Sequence, residues 1–85
     1  MKDEQILSLL KDALVYADEE KAGLANKMDL NAKLTDLGIE SIAAMEMAGY
    51  VEEKLGILFP DDELAAVSTV KGFVNLIKKN LPATV

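Results

Sequence analysis

Ser41 is the residue whose position most clearly invites chemistry. It stands in the stretch DLGIESIAAME (residues 36–46), directly after a carboxylate, Glu40, and at the start of a predicted amphipathic helix. A nucleophilic serine needs a general base within hydrogen-bond reach. The chain has no histidine, and Lys54 lies about three and a half turns further along the same predicted helix. The sequence therefore argues against a serine hydrolase, and we predict no catalytic residue.

Two other interpretations of Ser41 remain open on the local pattern. Serine is a favoured helix N-cap, and capping is the simpler interpretation. Alternatively, Ser41 is modified, because a phosphate ester at a helix N-terminus faces unpaired N–H groups and the positive end of the helix dipole. Gly38, which precedes the helix, lets the chain turn sharply and leaves the serine accessible to another enzyme.

Composition excludes several classes of function. Cysteine and histidine are both absent, which removes disulfides, thiolate metal sites and imidazole bases. Fifteen acids against nine lysines give a net charge of −6, which disfavours nucleic acid as a partner. Residues 36–63 hold eight acids and one base, Lys54, for a local charge of −7. The negative field therefore belongs to the middle of the chain.

Length and hydropathy predict a single domain over residues 1–85 with an aliphatic core. The N-terminus lacks an apolar signal region, and no apolar run approaches the ~18 residues of a membrane span. We therefore expect a soluble, cytoplasmic monomer that has no membrane partner.

Hydrophobic periodicity predicts an all-α four-helix bundle with a long first loop and a short third helix. The first helix covers residues 3–16, and the second runs from Ser41 to Leu55 with Gly56 as a left-handed C-cap. Pro60 ends that segment, and Asp61 or Asp62 is expected to cap a short helix over 62–66. Ser68 or Thr69 then caps the last helix. Leucines and a methionine should pin the long loop to the core: Leu24, Met28, Leu30, Leu34 and Leu37.

The stretch LTDLGIESI (34–42) resembles the L-G-x-D-S-L signature of acyl and peptidyl carrier proteins. The likeness continues through EEKLGI (52–57), FPD (59–61) and STV (68–70), and extends from about residue 30 to residue 77. This resemblance implies that Ser41 carries 4′-phosphopantetheine, transferred from coenzyme A by a separate phosphopantetheinyl transferase. The terminal thiol of that arm would hold a thioester, so that a chain without cysteine or catalytic base could take part in thioester chemistry.

The resemblance also implies a surface for partner enzymes on the second helix. Exposed apolar residues beside acids suit acyl-transferring or condensing enzymes with basic patches. The predicted partner residues are Glu40, Ile42, Met45, Glu46, Glu52 and Glu53. A possible acyl pocket within the core is predicted at Met47, Val51, Leu55, Phe59 and Phe73. No metal ion is assigned to Asp61, Asp62 and Glu63, because they lack the spacing of a calcium loop.

Three departures from the signature bear on partners and pathway. Glu40 and Ile42 replace the usual Asp and Leu around the serine, which affects the choice of transferase, and Gly49 stands where a bulkier apolar residue is common. The spacing of Leu34 and Leu37 resembles carriers of polyketide and nonribosomal peptide pathways. The leading hypothesis is a discrete acyl carrier in fatty-acid, polyketide or related specialised biosynthesis. The alternatives are a peptidyl or aminoacyl carrier, or an interaction module that acts without an arm.

Overall fold

Residues 2–81 are described by a computed structural model, and within them the chain forms five α-helices. These are α1 (Asp3–Ala17), α2 (Ala22–Ala25), α3 (Ser41–Leu55), α4 (Asp61–Ala65) and α5 (Val70–Asn80), with 3₁₀ turns at Glu19–Lys21 and Thr35–Leu37. The predicted all-α bundle is confirmed, and its four helices correspond to α1, α3, α4 and α5. Among these residues β-pairing is limited to one isolated antiparallel bridge, between Lys33 and Thr69. No helix over 2–81 is long and apolar enough to span a bilayer.

Helix α1 packs along α3 and also contacts α2 and α5. Its apolar residues recur at intervals of three and four, so they share one face of the helix. Ile6, Leu10, Ala13 and Leu14 on that face are buried, and Leu9 beside them is half-buried. The predicted first helix is thereby confirmed, with its C-terminus one residue later than expected.

Helix α5 supplies the other large part of the core. Thr69 caps it, because its Oγ1 accepts a hydrogen bond from the Gly72 N–H at 3.0 Å. This selects Thr69 over Ser68 as the cap. Ion pairs of Lys78 with Asp3 and of Lys79 with Glu63 join its last turn to α1 and α4. The buried residues of α5 are Val70, Phe73, Val74, Leu76 and Ile77.

Helix α4 is the predicted short third helix, but its N-cap differs from the prediction. The helix begins at Asp61, one residue earlier than predicted, and Pro60 occupies the N-cap position with φ −63°. Neither Asp61 nor Asp62 is the cap, because the fixed φ of proline already suits the entry to the helix. Asp61, Asp62 and Glu63 lie instead in the first turn, where the helix dipole stabilises negative charge.

The long connection between α1 and α3 is held to the start of α5 by backbone hydrogen bonds. The Leu34 N–H donates to the Ser68 carbonyl at 3.0 Å, and the Val70 N–H donates to the Ala32 carbonyl at 3.0 Å. Of the five residues predicted to pin this connection, Met28, Leu34 and Leu37 are buried, whereas Leu24 and Leu30 are partly exposed. The connection is therefore ordered by both core packing and pairing, and its last residues lead directly into Ser41.

Candidate functional site

The turn that precedes Ser41 is built by residues 34–39. Buried Leu34, Leu37 and Ile39 anchor it to the core. Gly38 adopts φ +70°, a conformation that other L-residues rarely take, and its N–H donates to the Thr35 carbonyl at 3.1 Å. The Ile39 N–H donates to the Leu34 carbonyl at 2.9 Å. These bonds fix the direction in which the chain enters α3.

Ser41 is the first residue of α3 and lies exposed on the surface. Glu40 occupies the N-cap position with an extended backbone, and its carbonyl accepts the Ala44 N–H at 2.8 Å. The interpretation of Ser41 as the N-cap is therefore wrong: the helix begins one residue too early for its side chain to cap it. Among the hydrogen bonds of residues 2–81, none involves the Ser41 hydroxyl.

The first turn of α3 is open to an external acceptor. The side chain of Glu40 makes no capping hydrogen bond. The N–H groups of Ser41, Ile42 and Ala43 likewise find no acceptor in the part of the chain that is described. Free N–H groups and the positive end of the helix dipole favour an anion at this end of α3. A phosphate ester on the Ser41 hydroxyl fits these surroundings.

A cavity of about 930 Å³ opens beside Ser41. Its walls come from the turn before α3, the first turn of α3, helix α4 and the residues that lead into α5. Apolar groups line part of it, namely Ile39, Ala44, Met45, Leu64, Ala65 and Val67. Polar side chains line the rest, namely Lys33, Thr35, Glu40, Asp61, Ser68 and Thr69. The sequence did not identify this cavity, because its walls come from segments far apart in the chain.

The five residues of the predicted acyl pocket lie in or against the hydrophobic core. Met47, Val51, Phe59 and Phe73 are buried in the core, and Leu55 is half-buried beside them. The rings of Phe59 and Phe73 pack edge to face, with centroids 6.3 Å apart. None of the five lines the cavity at Ser41. That an acyl chain enters the core between them stays a prediction.

Five of the six predicted partner residues are exposed, at positions from the N-cap of α3 to its last turn. The side chain of Ile42 is 74% exposed and that of Met45 is 64% exposed. Glu40, Glu46 and Glu53 are exposed with them. We call these five residues the acidic–apolar surface. A Cβ built on Gly49 meets nothing within 4 Å, so this position leaves an open gap on α3.

Glu52 has a different position from the other predicted partner residues. It is partly buried, and its Oε2 accepts a hydrogen bond from the Phe59 N–H at 2.8 Å. The carboxylate thus holds the loop after α3. That Glu52 also contacts a partner enzyme stays a prediction.

Lys21 is a residue near the site that the sequence analysis missed. Its Nζ donates to the Gly38 carbonyl at 2.6 Å and lies 3.6 Å from the Asp18 carboxylate. Lys21 and Gly38 are seventeen positions apart in the sequence. No local pattern relates two positions at that separation. Within the described residues no cluster of three or more His, Cys, Asp or Glu could hold a metal ion.

Comparisons with known proteins agree with this arrangement. The sequence model of the family described as "Phosphopantetheine attachment site" matches residues 4–77. An acyl carrier protein of Coprothermobacter proteolyticus is 31% identical over 92% of this chain and 88% of its own length. The actinorhodin polyketide synthase acyl carrier protein of Streptomyces coelicolor is 35% identical over 80% of each chain. The solution structure of the acetyl actinorhodin acyl carrier protein from that organism superposes with a TM-score of 0.73, covers 92% of both chains and is 30% identical.

Proposed function

Because this chain belongs to the acyl carrier protein family, we propose that residues 1–85 form one carrier domain whose Ser41 bears the 4′-phosphopantetheine arm. The observation that carries the proposal is the exposed Ser41 hydroxyl, which is free of hydrogen bonds within residues 2–81 and stands on the open first turn of α3. When bound, the arm supplies the terminal thiol that this cysteine-free chain lacks.

The role of Ser41 in arm attachment is that of an acceptor. Its hydroxyl oxygen attacks the phosphorus next to the pantetheine in coenzyme A, the P–O–P linkage breaks, and the nucleotide half leaves. The hydroxyl proton passes to the transferase, because the chain has no histidine and no side chain among residues 2–81 hydrogen-bonds Ser41. The N–H groups of Ser41, Ile42 and Ala43, which have no acceptor among the described residues, would stabilise negative charge on a phosphodiester at Ser41.

The acidic–apolar surface supports the proposal that partner enzymes bind around Ser41. Ile42 and Met45 offer apolar contacts, while Glu40 and Glu46 next to them and Glu53 further along α3 supply exposed negative charge. Such a surface suits enzymes with a basic patch, since charge steers the encounter and a few apolar contacts hold it. We include the transferase and acyl-transferring or condensing enzymes among these partners, and we propose that the chain itself catalyses no step.

The cavity beside Ser41 supports acyl cargo of intermediate polarity. Thr35 and Ser68, which carry hydroxyl groups, line the same cavity as the apolar residues Ile39 and Leu64. A mixed lining suits a chain that carries oxygen substituents better than a saturated hydrocarbon, which gains only from apolar burial. Together with the spacing of Leu34 and Leu37, this favours a polyketide or related specialised pathway over housekeeping fatty-acid synthesis.

The test is intact-protein mass spectrometry after incubation with coenzyme A and a broad-specificity phosphopantetheinyl transferase. The wild type should gain one phosphopantetheine and Ser41→Ala should gain none. Ser68→Ala is the matched control, because Ser68 is exposed and lines the same cavity, and it should be modified like the wild type. A wild type that gains no mass with several transferases would contradict the proposal and favour an interaction module without an arm.

A further inference from the structure

Lys21 is held against the turn that presents Ser41. Its ammonium donates to the Gly38 carbonyl at 2.6 Å, and only 24% of its side chain is exposed. The lysine stem is covered while the hydrogen bond of its ammonium remains exposed, as is usual for a lysine that packs its apolar stem against the protein. Asp18 lies 3.6 Å from the same ammonium and provides the opposite charge.

The Gly38 carbonyl has no other partner among the described backbone hydrogen bonds. The left-handed conformation of Gly38 turns its carbonyl out of the pattern that the preceding 3₁₀ turn would continue. A charged donor makes a shorter and stronger hydrogen bond to such an oxygen than a neutral donor does. The lysine stem also covers the glycine closely, since a Cβ built on Gly38 would lie 3.3 Å from Lys21 Cε.

We propose that Lys21 is a positioning residue for arm attachment, an inference that rests on the proposed function. Lys21 fixes the Gly38 turn, and the turn sets where Glu40 and Ser41 stand when α3 begins. No contact joins Lys21 to the Ser41 hydroxyl among the described side-chain hydrogen bonds, so the role is exercised through the backbone. The long connection before α3 thereby gains a function in the reaction, in addition to its packing.

The expected kinetic signature follows from this role. Without the Lys21 hydrogen bond, the free carrier spends less time with Ser41 in the orientation that the transferase binds. Apparent affinity falls in proportion to the fraction of competent molecules. Once bound, the transferase holds the turn itself. The KM for the carrier should therefore rise by about three- to tenfold, with kcat within about twofold of the wild type.

The experiment compares four variants as substrates of a phosphopantetheinyl transferase with coenzyme A. Lys21→Met removes the donor and keeps the stem, whereas Lys21→Arg keeps a charged donor and should restore the wild-type KM. Lys27→Met is the matched control, because Lys27 is exposed in the same connection and its loss changes the net charge equally. Asp18→Asn removes the partner charge and should raise the KM by less than Lys21→Met does.

A second measurement on the unmodified protein separates the inference from the proposed function. Amide hydrogen exchange at residues 38–42 should be faster in Lys21→Met than in Lys27→Met, while the melting temperature changes little. Equal KM values for these two variants, or a lower kcat with unchanged KM, would overturn the positioning role. Unchanged exchange would show that Lys21 does not hold the turn. A wild type that accepts no arm would overturn the proposed function instead, and with it the role in attachment.

Discussion

The carboxylate of Glu52 accepts a hydrogen bond from the backbone N–H of Phe59 at 2.8 Å, across seven residues that include the end of α3. Gly56, in the left-handed conformation with φ +66°, reverses the chain between them. The loop therefore returns along the last turn of α3 and places the Phe59 ring in the core, against Phe73. The Glu52 side chain, which is predicted to meet partners, thus also holds this loop in place.

Glu52→Ala should lower the free energy of unfolding by about 1–2 kcal/mol, because it leaves the part-buried Phe59 N–H without an acceptor. Urea unfolding followed by circular dichroism measures this loss. Glu52→Gln retains an acceptor oxygen and should lose less. The control is Glu53→Ala on the exposed face, which should change stability by less than about 0.5 kcal/mol. Equal losses for Glu52→Ala and Glu53→Ala would contradict the loop-closing role.

A second prediction concerns alanine substitutions at three glycines, which separate the cost of backbone strain from the cost of a steric contact made by the new Cβ. Gly38 and Gly56 have φ of +70° and +66°, so alanine at either position should cost about 1–2 kcal/mol. Gly38→Ala should cost more than Gly56→Ala, because only its Cβ meets a neighbour, Lys21 Cε at 3.3 Å. Gly23→Ala, within α2 and with open space around it, should be neutral or slightly stabilising. Equal losses for the first two would show that Lys21 moves aside freely.

The start of α5 provides a third prediction. Thr69→Ala removes the acceptor of the Gly72 N–H and should lower the free energy of unfolding by about 1 kcal/mol. Ser68→Ala is the control and should have little effect, because Ser68 is exposed and Thr69 is the cap. Thermal unfolding of both variants distinguishes them. A larger loss for Ser68→Ala would reverse this assignment.

Local sequence patterns predicted the features that depend on residues close together in the chain, namely the helices and most of their ends. The 3.6-residue periodicity of α1 and α5 and the glycine after Leu55 gave helices that agree with the structure to within a residue at most of their ends. The errors lie at helix N-termini, where a shift of one position decides whether a residue is the N-cap or belongs to the first turn. Ser41 is the first residue of its helix rather than its cap, and Pro60 rather than Asp61 precedes α4. Proline and glutamate are not favoured caps, so propensity alone pointed to their neighbours.

Contacts between distant segments could not be predicted in this way. The Lys21 hydrogen bond to Gly38 and the cavity walls at Ile39, Leu64 and Val67 depend on how α4 and the long connection pack. Periodicity identifies which face of α3 is buried, but not whether a gap remains beside it. The sequence therefore predicts an acyl pocket only among the core residues, whereas the described cavity lies beside the first turn of α3.

A fourth prediction concerns the acidic–apolar surface, where substitutions should change partner affinity but not the free energy of unfolding. Ile42→Ser should leave the free energy of unfolding within about 0.5 kcal/mol, because the side chain is 74% exposed. The affinity of the Ile42→Ser variant for the phosphopantetheinyl transferase should fall by about fivefold or more, through faster dissociation. Glu46→Gln should instead slow association and weaken its dependence on salt. Surface plasmon resonance at two salt concentrations separates these effects, and unchanged affinity in both variants would place the partner elsewhere.

A final prediction distinguishes the cavity beside Ser41 from the core as the place for cargo. If cargo occupies the cavity beside Ser41, loading the arm with a short β-ketoacyl group should shift the methyl NMR signals of Leu64 and Val67 relative to the protein with an unloaded arm. The methyl signals of Val51, buried on the core face, should change little. A saturated acyl group of equal length should give smaller shifts, because it forms no hydrogen bonds with Thr35 or Ser68. Leu64→Ala should reduce the shift at Val67 without preventing arm attachment. Shifts concentrated at the methyl groups of Met47 and Val51 would instead show that the core opens to admit the chain, as the family resemblance predicts.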